Sequence, residues 1–114
     1  MKHCGLLLLI SLLPACSEKS IAELGDVEQG RELLWQYGCG ACHKIPGVRG
    51  AHGNVGPPLE NMAQQVYIAG VLPNTPENLI HWIRAPQKVD PLTAMPDLAV
   101  TEAQARDMAA YLYK

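Results

Sequence analysis

Two thiols and an imidazole stand together in Cys39-Gly40-Ala41-Cys42-His43. On one helical turn, side chains at i and i+3 share a face. Thiols so placed reach the two vinyl groups on one edge of a porphyrin, and His43 then lies under the ring with a nitrogen for iron. Cys-x-x-Cys-His is the attachment sequence of a c-type haem, and a chain that holds haem in this way most often carries single electrons. A bare Cys-x-x-Cys has two other readings. Zinc takes four ligands, and the other cysteines, Cys4 and Cys16, fall in a segment that reads as cleaved. A thioredoxin-like dithiol follows a strand in a βαβ unit, and no such pattern surrounds Cys39.

The elements that must position these residues are helical. Asp26 to Tyr37 reads as a first helix, with Asp26 as N-cap and Glu28 near the positive end of the dipole. Val27, Gly30, Leu34 and Tyr37 fall on one face. Gly30 costs about 1 kcal/mol against Ala inside a helix, which makes sense where another helix crosses closely. Lys44 to Pro58 is rich in Gly and Pro and reads as a loop. Leu59 to Val66 is expected to form a short helix, and Ala69 to Asn74 another loop. Thr75-Pro76-Glu77 starts a helix, with an N-cap, Pro at the first position and an acid in the first turn; it ends by Arg84, before Ala85-Pro86. Gln87 to Ala94 reads as a loop leading to Met95-Pro96. Thr101 and Gln104 form a capping box opening the last helix, to about Tyr113. Ala105, Met108, Ala109 and Leu112 give its apolar stripe. No strand of any length is expected.

The chain has 114 residues, enough for one domain with a limited core. Aromatics are 5% and Phe is absent, which fits a flat apolar cofactor acting as part of that core. A net charge of −2 is not that of a nucleic-acid binder.

Lys2 and the short apolar run Leu6 to Leu13 read as a secretory signal over residues 1–15, since a spanning helix needs about 20 residues. Leu13-Pro14-Ala15-Cys16 resembles a bacterial lipobox, although Pro14 stands where a small residue is usual. The expectation is that Cys16 is acylated and becomes the mature N-terminus; the alternative is ordinary cleavage after Ser17. Residues 16–25 read as a tether. Extended from Cys16 to Asp26, such a tether reaches about 33 Å.

The haem motif, the Gly56-Pro57 loop after it and Met95-Pro96 before a final capped helix together resemble class I cytochrome c, over nearly all of residues 26–114. The stretch Leu72-Pro73-Asn74-Thr75-Pro76-Glu77-Asn78-Leu79, with Pro86-Gln87, is most similar to the small cytochrome c domains associated with haem–copper oxidases. The resemblance implies an all-α fold of three to five helices around one haem c. The haem is held covalently through Cys39 and Cys42, with His43 as proximal iron ligand. Pro57 offers its carbonyl to the other nitrogen of His43, Leu59 packs on the haem, and Met95 is the distal ligand. The first and last helices cross at Gly30, with Trp35 or Leu34 facing Tyr111.

Met62 and Met108 are weaker candidates for the distal position, as is bis-histidine ligation through His52 or His81. Trp82 and Arg84, or Gln87, have N–H groups that suit a haem propionate; equally, Trp82 is a residue with an exposed tip and Arg84 a solvated cation. The function implied is electron transfer by a monomer or complex subunit on the periplasmic side of a bacterial membrane. Its partners would be a dehydrogenase or quinol-oxidising complex and a terminal oxidase or reductase. The rival reading is a haem enzyme, or a gas-binding or sensor protein, which needs an open iron position.

Overall fold

Asp26 caps the first long helix and at the same time fastens it to the last. The computed structural model describes residues 19–114. Within them α1 spans Ile21–Leu24, α2 Val27–Gln36, α3 Pro76–Arg84, α4 Pro86–Val89 and α5 Glu102–Tyr113. The Asp26 side chain accepts from the Gln29 N–H (2.9 Å), and its own N–H donates to Asp107 Oδ1 on α5 (2.8 Å). α2 and α5 cross at Gly30, where any Cβ would collide with the Asp107 carbonyl. Ala105 and Ala109 of α5 are fully buried. The missing side chain at Gly30 lets the two backbones approach, and its propensity cost is offset there by packing.

Leu33 and Leu34 of α2, Met108 and Leu112 of α5, and Leu79, Ile80 and Ile83 of α3 make the core. Burying side chains of this size contributes about 1.5–3 kcal/mol each. Leu34, at 2% exposure, is the core residue, whereas Trp35 is 45% exposed with the Arg49 guanidinium stacked 3.8 Å above its ring. Tyr111 donates to the Pro46 carbonyl (2.5 Å), and Tyr37 to Gln104 Oε1 (2.8 Å). All-α is the observed class. The strands among the described residues are β1 (Tyr67–Ile68) and β2 (Leu72–Pro73), an antiparallel hairpin. Ala69 (φ 53°) and Gly70 (φ 69°) form its mirror-image turn.

Three expectations change. The stretch Leu59 to Val66 holds only one 3₁₀ turn, Met62–Gln64. The reason is Asn74, whose amide donates to both the Met62 and Gln65 carbonyls (2.7 and 2.8 Å), replacing the bonds a longer helix would make. Residues 87–89, read as loop, belong to α4. Pro86 starts it with a preset φ and is buried in the core. Residues 21–24, within the stretch expected to be a tether, are helical. They form α1, packed on α5 through buried Leu24, with Gly25 against the Arg106 backbone. The signal segment and Cys16 lie outside the described residues. No described helix is long and apolar enough to cross a membrane.

Candidate cofactor site

α2 is stopped by Gly38, whose left-handed conformation (φ 72°) turns the chain into the Cys39–Ala41 3₁₀ turn. In a 3₁₀ turn residues i and i+3 eclipse, so Cys39 and Cys42 project to one side. Both are free and half-buried. Burial pushes the Cys39 thiol up, the reverse of the depressed thiol a redox dithiol uses as nucleophile. The His43 N–H donates to the Cys39 carbonyl (3.0 Å), carrying the imidazole onto the same short unit.

The loop after the motif is folded back on it. Gly53 N–H donates to the Gly40 carbonyl (3.0 Å), Gly56 N–H to that of Cys42 (2.8 Å), and Leu59 N–H to that of Lys44 (2.8 Å). Ile45, Val48 and Ala51 bury beneath. A Cβ on Gly56 would fall into the His43 ring.

His43 Nδ1 lies 2.7 Å from the Pro57 carbonyl oxygen. A carbonyl can only accept, so Nδ1 is the nitrogen that donates, and in the neutral ring Nε2 is the one left to bind a metal. That is the tautomer a metal-ligating imidazole needs, with its other nitrogen bonded to backbone. Leu59 is half-buried against the core edge. These residues fit haem c: two unpaired thiols on one side of a turn, an adjacent imidazole with Nε2 free, and a loop that fixes the ring. Among the described residues no three His, Cys, Asp or Glu side chains converge on a metal-sized point, which leaves the zinc reading without further ligands there.

Met95 is half-buried in the loop between α4 and α5. Its N–H donates to Thr93 Oγ1 (3.2 Å), and its carbonyl accepts from Gln87 Nε2 (2.7 Å). Met62 and Met108 are core residues, at 9% and 1% exposure. His52 and His81 are exposed. Trp82 is half-buried against the core. Arg84 pairs with Glu102 (3.5 Å) beside a surface cleft of about 580 Å³ that His81, Lys88 and Asp97 also line. Gln87 therefore has a partner that sequence reasoning did not assign to it. Asn74 was missed too; a lone Asn between Pro73 and Thr75 carries no signal of the remote carbonyls it meets.

The family model described as "Cytochrome c" matches residues 27–114. Cytochrome c oxidase subunit 2 of Alkalihalophilus pseudofirmus is 36% identical over 87 residues, which cover 74% of this chain and 24% of that protein. The chain spans about a quarter of the length of that relative.

Proposed function

The chain belongs to the cytochrome c family, and from that premise we propose that it carries single electrons at the outer face of a bacterial membrane. In this reading it takes them from a quinol-oxidising complex or a dehydrogenase and delivers them to a terminal oxidase or reductase. The observation that carries the reading is the His43–Pro57 bond, which prepares an imidazole nitrogen for a metal beside two free thiols. Similarity to an oxidase subunit supports an oxidase as one partner.

Bound haem c supplies an iron that gains and loses one electron. The protein's own residues supply position. Cys39 and Cys42 would hold the ring by thioethers, and His43 would ligate through Nε2 while the Pro57 carbonyl holds Nδ1–H. Met95, in the loop between α4 and α5, would supply a thioether sulfur, which favours the ferrous state relative to a second imidazole. His43 is set by a main-chain carbonyl and Met95 by bonds at both its amide and carbonyl. Little rearrangement is needed when the charge changes, which suits rapid transfer. Cys16, acylated, would hold the domain at the membrane, since several acyl chains anchor stably where one is marginal.

The test uses the purified haem-loaded protein. Reduced protein should be oxidised rapidly by oxidase-containing membranes and should be indifferent to carbon monoxide. Binding of carbon monoxide to an open iron, or failure to exchange electrons with such membranes, would sink the carrier reading. Mass spectrometry of the mature protein decides the anchor: an acylated Cys16 supports it, a start at Glu18 removes it.

A further inference from the structure

Gln87 and Met95 are joined side chain to main chain, and the segment between them is closed by its own turn. Leu92 N–H donates to Asp90 Oδ1 (3.0 Å), and Thr93 N–H to the Asp90 carbonyl (3.1 Å). Thr93 Oγ1 then accepts from Met95 N–H, and Gln87 Nε2 donates to the Met95 carbonyl. Pro96 follows, which biases Met95 toward extended backbone. Both polar groups of the Met95 backbone are therefore committed, and what stays adjustable is its side chain. The Thr93 bond is local to the loop. The Gln87 bond differs in kind, because Gln87 stands on α4, whose first residue, Pro86, is buried in the core. It ties the loop near Met95 to the rigid body of the domain.

We propose that Gln87 is a positioning residue: its amide holds the Met95 loop against α4, and so sets how readily an outside ligand displaces the Met95 sulfur from the iron. This rests on Met95 being the distal ligand. The Gln87 side chain is exposed, so removing its N–H disturbs no packing. A surface hydrogen bond of this type is worth roughly a three- to tenfold change in an equilibrium.

The experiment titrates the haem-loaded ferric protein with imidazole and follows the red-edge absorption band of iron–sulfur bonding. Four proteins are compared: wild type, Gln87→Met, Gln87→Glu and Met95→Ala. Gln87→Met and Gln87→Glu both lack the donor at nearly the same length. Each should keep the band without imidazole, bind imidazole about three- to tenfold more tightly, and bind it with a faster rate. Gln36→Met, on the exposed end of α2, should titrate as wild type does. If either Gln87 variant folds and titrates as wild type does, the proposal is overturned. Should one variant fail to take up haem, the other decides. Met95→Ala separates the underlying reading: persistence of its band removes Met95 as ligand, whatever the Gln87 variants do.

Discussion

His43 and Pro57 meet through a ring nitrogen and a main-chain carbonyl, 2.7 Å apart. The contact is possible because residue 56 has no side chain. Gly56 N–H is bonded to the Cys42 carbonyl, which draws the loop so close that a Cβ would enter the imidazole. Gly56→Ala should therefore push the His43 ring out of place. Less haem should be incorporated on expression, and the fraction that is loaded should show a weakened low-spin spectrum. A Gly56→Ala protein with wild-type haem content and spectrum would refute this use of the glycine.

A second glycine acts on stability. Gly30→Ala gains about 1 kcal/mol of helix propensity but must separate α2 from the Asp107 carbonyl. Overpacking costs about 1–3 kcal/mol or more, and here the obstacle is backbone, so packing wins. The denaturation midpoint should fall, with the iron–sulfur band retained in the folded fraction. A midpoint at or above wild type would show that the helices can part cheaply.

Tyr113 predicts a pH dependence at the alkaline end. Burial first, and then nearby Glu77, push its phenol up from 10 to about 12, and its hydroxyl donates to Asn74 Oδ1. The unfolded chain loses this proton near pH 10, while the folded chain keeps it to about 12. Above pH 10 the unfolded state thus binds fewer protons, and stability falls as pH rises. The contribution is complete below pH 10 and is lost between about 10 and 12. Urea midpoints measured from pH 9 to 11.5 should decline more steeply for wild type than for Tyr113→Phe. Parallel declines would exclude Tyr113 as the source.

The N-terminal helix α1 should open independently of the rest of the domain. α1 is held by Leu24, at 7% exposure, and by the Asp26–Asp107 bond. Truncating Leu24 to Ala should release α1 while α2 to α5 stay folded, because the loss falls on a local unit. Tryptic cleavage after Lys19 should speed up by about tenfold, since one tenfold step corresponds to about 1.4 kcal/mol of local opening and a buried Leu→Ala change costs at least that much. The haem spectrum should not move. Equal cleavage rates would mean that α1 is already open in the wild type.

The candidate cofactor residues were legible in the chain because their spacing is itself the signal. Cys39, Cys42 and His43 need only one turn to converge, and a turn is a local object. The helix starts at Asp26, Thr75 and Thr101 were equally local, each a side chain bonding a backbone N–H three residues on. Gly30 was legible as a crossing because its cost inside a helix demanded a reason. What the sequence could not decide was which distant groups meet. Nothing near Gln87 marks the Met95 carbonyl as its partner rather than a haem propionate. Nothing near Asn74 announces the carbonyls that cut a helix down to one turn, and the polarity of residues 17–25 hides a Leu24 that packs on α5. Those contacts depend on how α3, α4 and α5 lie against one another, and that follows from burying all their apolar faces at once.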